Sequence, residues 1–131
     1  MFKSRSGGVT TKAVGDAAEA RAAAWLQARG LTLLERNYRV ARGPAAHGGE
    51  IDLVLRDRDG TLVFCEVRAR ASAARGGAAA SVQGTKQRRI AYAARHYLLR
   101  WDTLPPCRFD VVTVDGETID WLRAAFDDPG G

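Results

Sequence analysis

The sequence has few lysines and cysteines and no long apolar run, and each scarcity narrows the class of protein. The two cysteines, Cys65 and Cys107, lie in apolar stretches, which favours buried free thiols over a disulfide or a metal pair. No window offers the roughly 18 apolar residues of a membrane span, so we expect no membrane partner. The basic start of the chain has no apolar core after it, unlike a signal peptide, and we therefore expect a cytoplasmic protein.

Arginine carries almost all of the positive charge. Lysine occurs only at Lys3, Lys12 and Lys86, whereas lysine and arginine together number 20 and the formal net charge is +5. A basic balance favours polyanionic partners. It is equally compatible with a merely soluble basic surface, so charge alone leaves a nucleic-acid partner open.

Apolar spacing and turn residues predict a single α/β domain over 11–126, a mixed β-sheet flanked by helices in the order αβββαββ. Residues 1–10 are interpreted as a flexible basic arm and 127–131 as a frayed tail. The predicted helices cover 11–29, ended by Gly30, and 82–101. The predicted strands cover 31–40, 50–56, 61–70, 108–114 and 119–122.

The turn sequence DRDG at 57–60 predicts a hairpin between the second and third strands. With Gly60 in the left-handed position, residues whose numbers sum to 118 lie opposite each other, and Asp52 then faces Glu66. Directly opposed side chains have Cβ atoms about 5 Å apart. Period-two alternation also predicts that one face of the second strand carries Ile51, Leu53 and Leu55.

Two carboxylates that close repel each other by roughly 3 kcal/mol at an effective dielectric near 20. A cation between them would remove this cost. One candidate is a hard divalent ion such as Mg²⁺ or Mn²⁺, and the other is Arg68, which would make a structural ion cluster. The residues alone leave both interpretations open.

Six short segments together resemble one protein family. They are GDAAE at 15–19, ERNY at 35–38, GEIDLV at 49–54, VFCEVR at 63–68, KQRR at 86–89 and RFDVV at 108–112. In this order they resemble the YraN-type family of small bacterial proteins, over about 11–126. That family in turn resembles the restriction-endonuclease-like superfamily, which includes archaeal Holliday junction resolvases. The resemblance implies a restriction-endonuclease-like core.

The resemblance also implies a chemistry, metal-dependent hydrolysis of DNA phosphodiester bonds. In that superfamily an acid on one strand and Glu-x-Lys on the next bind the metal and activate water. Asp52 and Glu66 match the two acids, and the carbonyl of Val67 matches a further ligand of Mg²⁺ or Mn²⁺. Glu19 matches an acid that completes the metal shell in some members. Analogy with resolvases implies branched or single-stranded DNA as the substrate and a possible homodimer.

Arg68 departs from the motif, which has lysine at this position. Lysine can lower its pKa near a metal and help to activate water, whereas arginine stays protonated. Arginine can still hold a phosphate and stabilise transition-state charge. Lys86 is a candidate replacement in space. The departure sustains two alternatives to an endonuclease, a catalytically impaired nuclease fold that binds DNA or a protein, and a structural ion cluster with no nucleic-acid role.

Further arginines and a lysine are candidates for contacts with the DNA backbone. Lys86, Arg88 and Arg89 fall in the first turns of the second predicted helix, and Arg70 and Arg75 fall in the stretch before it. A phosphate-contacting edge explains this charge, and so does a solvated helix face followed by a simple connector.

Overall fold

Five strands form one mixed sheet, and a helix packs on each face of it. The computed structural model describes residues 11–41, 48–69 and 82–130. The helices are α1 (Thr11–Ala28) and α2 (Gly84–Tyr97), the latter continued by a 3₁₀ turn, Leu98–Arg100. The strands are β1 (Thr32–Val40), β2 (Gly49–Arg56), β3 (Leu62–Ala69), β4 (Cys107–Asp115) and β5 (Thr118–Phe126). The predicted α/β class and the order αβββαββ are confirmed.

The strands lie side by side in chain order, β1 to β5. Neighbouring strands are antiparallel except β3 and β4, which are parallel and are connected through α2. The β2–β3 register pairs Val54 with Phe64, the sum of 118 that the turn predicts. The ladder ends at the pair of Leu53 and Cys65, one position before Asp52 and Glu66.

Alternate residues of the central strands feed two separate cores. Phe64 packs with Ile90 and Tyr97 of α2 in one cluster, and Val63 packs with Leu26 of α1 in the other. Burial on both faces explains why the sequences of β3 and β4 are almost continuously apolar. The first polar side chains at the end of the buried part of β3 therefore lie beside α2, next to a dry core.

The pairing of β1 with β2 is irregular at one point. By the strand register Asn37 lies opposite Asp52, and its φ of 53° is left-handed, a conformation that asparagine tolerates. Ile51 packs with Val54 on the α2 side, whereas Leu53 faces α1. The prediction that Ile51 shares a face with Leu53 is wrong, because the alternation is interrupted at Asp52.

Most differences from the predicted boundaries occur at the ends of elements. Gly30 ends α1 with a φ of 101°, as a C-terminal glycine does. The last strand is longer than predicted and continues to Phe126. Cys65 is a buried free thiol as predicted, but Cys107 is exposed because it begins β4 at the end of the sheet. Within the described ranges neither helix combines the length and hydrophobicity needed to cross a membrane.

Candidate active site

Asp52 and Glu66 lie side by side on β2 and β3 and are nearly inaccessible to solvent, with 8% and 3% of their surface exposed. Oδ2 of Asp52 accepts a hydrogen bond of 2.8 Å from the backbone N–H of Val67. The two carboxyl groups also share a side-chain hydrogen bond, which places the proton on Glu66. The structure thus brings together the two acids that the hairpin arithmetic paired.

Two cations contact Glu66 on the side facing α2. Its Oε2 atom lies 3.5 Å from the guanidinium of Arg68 and 3.5 Å from Nζ of Lys86. Burial and then the charge of Asp52 raise the pKa of Glu66 to about 8, against the opposing effect of Lys86 and Arg68. The cations therefore offset only part of the cost of an ionised Glu66 beside Asp52.

Glu19 approaches the acid pair from α1. Burial and then the charge of Asp52 raise its pKa to about 7, while Asn37 and Arg36 favour the ionised form. Its Oε1 atom is buried and has no hydrogen-bond partner among the described residues, since the Arg36 guanidinium is 3.8 Å away. Sequence reasoning missed Asn37, although an asparagine between two strand-forming residues was a signal for a left-handed position.

The chemistry of these acids fits a hard divalent cation. Three carboxyl groups influence one another's charge, and one carboxylate oxygen is buried without a partner. Within the described ranges, however, no three Asp, Glu, His or Cys side chains are close enough together to form a complete cage. Mg²⁺ usually binds through one or two carboxylates, waters and substrate phosphates, so an incomplete cage suits it.

A cleft lies next to the acid pair, between the end of β3 and the start of α2. It has a volume of about 260 Å³. The described residues that line it are Arg68, Gln83, Thr85, Lys86 and Arg89. Sequence reasoning missed Gln83 and Thr85, whose uncharged side chains carry no signal for a site. Of the predicted DNA contacts, Lys86 and Arg89 line the cleft, whereas Arg88 does not line it and bonds to Thr85 Oγ1 at 3.3 Å. Arg70 and Arg75 lie outside the described residues.

Asp110 is a fourth buried acid, and its contacts are structural. It is fully buried on β4 and accepts hydrogen bonds from Nε of Arg108 at 3.0 Å, from the Trp121 indole at 2.9 Å and from the Ala124 N–H at 2.9 Å. These three donors satisfy its carboxylate. Asp110 therefore ties β4 to β5 and is not part of the candidate site.

The fold and site together define a mixed α/β protein with a buried acid pair beside a basic cleft. Residues 18–114 match the family model described as "Uncharacterised protein family UPF0102", and the chain belongs to this family.

Relatives in the family are similar over nearly the whole chain. A UPF0102 protein of Methylibium petroleiphilum is 70% identical over 91% of this chain and 98% of its own length. One from Paracidovorax citrulli is 66% identical over 90% of this chain and 85% of its own. The crystal structure of SSO0001 overlaps with 87% of this chain and 52% of that chain, at a TM-score of 0.46 and 12% identity. A likeness that weak carries no argument about function.

Proposed function

We propose that this protein is a metal-dependent DNA endonuclease with a restriction-endonuclease-like core. The observation that carries the proposal is the buried contact between Asp52 and Glu66 on adjacent strands, at the edge of a cleft lined by three cationic side chains. Paired acids that hold a divalent ion beside cations that hold phosphate are what phosphodiester hydrolysis needs. Branched or single-stranded DNA remains the proposed substrate by analogy with resolvases.

In this proposal Asp52 and Glu66 hold Mg²⁺ or Mn²⁺, with the Val67 carbonyl as a further ligand and Glu19 completing the set. The bound ion would polarise the phosphate and lower the pKa of a water molecule. The protein's own contribution is orientation. The N–H of Val67 holds one oxygen of Asp52 in place, and Asn37 and Asp52 lie opposite each other in the register beside Glu19.

Two cations would act on the phosphate rather than on the metal. Arg68 is proposed to hold a phosphate oxygen with its planar guanidinium. Lys86 is proposed to supply the ammonium that the superfamily motif carries at the position of Arg68. Its Nζ atom and the Arg68 guanidinium lie at the same distance from Glu66, which supports this exchange of roles.

Arg68 also favours a second candidate function, DNA binding without efficient cleavage. Arginine does not give up its proton at a working pH, so it cannot help to activate a water molecule. A nuclease fold impaired in this way would keep the basic cleft and its affinity for phosphate. The two functions differ in turnover and not in DNA binding.

The decisive experiment measures cleavage of labelled duplex, single-stranded and four-way-junction DNA with Mn²⁺. The Asp52→Asn variant keeps an oxygen for the Val67 N–H but loses the charge, and Asp120→Ala removes an exposed carboxylate on β5 as a control. Metal-dependent cutting that Asp52→Asn abolishes and Asp120→Ala retains supports the endonuclease. DNA binding without cutting selects the second candidate, and neither binding nor cutting overturns both. Preference for the junction predicts a symmetric dimer in sedimentation, because a junction offers two equivalent strands.

A further inference from the structure

A single carboxylate oxygen holds two of the three cations that line the cleft. Oε2 of Glu66 is 3.5 Å from both Lys86 and Arg68. The side chains of these two residues are 39% and 37% exposed, so their long stems can turn toward solvent without leaving a buried core. The charge of Glu66 is therefore in direct competition with any anion that enters the cleft.

The cleft itself has the features of a site for one phosphate group. Its volume of about 260 Å³ exceeds that of several waters, at about 30 Å³ each. Gln83 and Thr85 add hydrogen-bond donors to the cationic groups. The cleft also lies at the start of α2, whose first turn has no acidic residue and no side-chain cap among the described residues. Unpaired N–H groups and the helix dipole favour an anion there.

We propose that Glu66 is an internal competitor for the cleft and that its neutralisation opens a binding site for a DNA backbone phosphate. In the metal-free protein the ionised carboxylate holds Lys86 and Arg68. A divalent cation bound to Glu66 takes over the carboxylate's charge and repels both cations. They then turn with Arg89 toward a phosphate in the cleft. Metal binding and strand binding are therefore positively coupled through these two side chains. The identity of the ligand as DNA rests on the proposed function.

Glu66→Gln tests the competition without any metal. The amide has the shape of the protonated carboxyl, which the high pKa of Glu66 shows to be the favoured form in this environment, so the variant folds. Binding of a fluorescein-labelled single-stranded DNA is measured by anisotropy with EDTA, at a pH above the Glu66 pKa of about 8. We expect binding about tenfold tighter than that of the wild type, a change of about 1.4 kcal/mol.

Glu35→Gln is the control for net charge. It also removes a carboxylate that pairs with an arginine, Arg100, at 3.7 Å, but on β1 and away from the cleft. Its DNA affinity should stay within about twofold of the wild type, because one surface charge away from the contacts changes binding little. If Glu66→Gln binds the DNA no more tightly than Glu35→Gln does, the inference is overturned.

A second pair of variants shows which cation carries the gain. Adding Lys86→Ala to Glu66→Gln should return the affinity to near the wild-type value. Lys12→Ala, which removes the other described lysine and also breaks a lysine–carboxylate pair, should leave the gain intact. A gain that survives Lys86→Ala and Arg68→Ala together would place the phosphate elsewhere and overturn the inference.

This assay contains no metal and no turnover, so it is separate from the test of the endonuclease. A protein that never cuts DNA can still show the gain in Glu66→Gln. An active nuclease in which Glu66→Gln brings no gain would keep its proposed function and lose only the competition within the cleft.

Discussion

Nζ of Lys86 lies 3.5 Å from Oε2 of Glu66, although Lys86 belongs to α2 and Glu66 to the adjoining strand β3. The contact brings an ammonium group to the acid pair from a different element than the one that carries the superfamily's motif lysine. Arg68, on β3 itself, reaches the same oxygen at the same distance. Lysine and arginine therefore stand on either side of one carboxylate, and their separate contributions can be measured.

Lys86→Ala should reduce Mn²⁺-dependent cleavage by about 100-fold, because removing one preorganised group from a transition state costs on the order of 10²–10³ in rate. Single-turnover cleavage of labelled DNA at saturating protein measures this directly. Lys12→Ala, which removes an exposed lysine from α1, should cut at the wild-type rate. A Lys86→Ala protein that cuts as fast as the wild type would remove Lys86 from the mechanism.

Arg68→Lys should increase the cleavage rate by about tenfold or more. A lysine near a bound metal can lose its proton and assist a water molecule, which arginine cannot do. The same single-turnover assay gives the rate, and titration of the DNA gives its affinity. A slower Arg68→Lys protein would mean that the bidentate hold of arginine on phosphate is worth more here than a titratable amine.

The stability of the metal-free protein should fall as pH rises from about 4.5 to about 8. The pKa is raised from 4.5 to about 8 for Glu66 and to about 7 for Glu19, so the folded state binds more protons than the unfolded chain in this window. The free energy of unfolding therefore decreases with pH. Urea denaturation in EDTA across the window measures it.

Asp52→Asn is the matched variant for this pH dependence. It removes the charge that contributes to both raised pKa values, so its stability should fall less steeply with pH than that of the wild type. Mn²⁺ above pH 8 should restore stability to the wild type, since a ligand of the folded state stabilises it by mass action. Parallel pH profiles for the two proteins in EDTA would show that the acids are not coupled.

Gly49→Ala should destabilise the protein by about 1–3 kcal/mol, the usual cost of overpacking. A Cβ at Gly49 would lie 2.5 Å from the carbonyl oxygen of Arg89 and 3.0 Å from the backbone nitrogen of Ala93. The backbone of β2 and the helix α2 approach too closely there for a side chain.

Gly15→Ala is the matched control for this variant. Nothing lies within 4 Å of the corresponding Cβ in α1, so alanine should stabilise by about 0.5–1 kcal/mol through helix propensity. Urea denaturation distinguishes the two effects. Equal stabilities of the two variants would contradict the close approach of β2 and α2.

The element order and the contact of Asp52 with Glu66 could be predicted because both depend on local rules. Period-two alternation identifies strands, and a turn with Gly60 determines which residues of a hairpin face each other. The left-handed Asn37 was not predicted, and the alternation rule consequently placed Ile51 on the wrong face. A break in the pleat depends on what packs above and below it, which periodicity does not record.

The parts of the site on α2 could be predicted only as a charged helix face. Whether Lys86 meets Glu66 depends on the rotation of α2 over the sheet, and that rotation follows from packing across the core. Gln83 and Thr85 gave no signal at all, because neutral polar residues before a helix are common. Contacts between a helix and a distant strand require coordinates.

The packing of α2 has a consequence for how related sequences can differ in length. Ile90, one helical turn after Lys86, is almost completely buried against the sheet and anchors that end of the helix. The place of the ammonium is therefore set by the core and not by the chain that leads from β3 into the helix. Relatives can gain or lose residues between Ala69 and Val82 while keeping the lysine beside the acid pair. An alignment that tolerates gaps in this interval but none between Lys86 and Ile90 would carry the imprint of that anchoring.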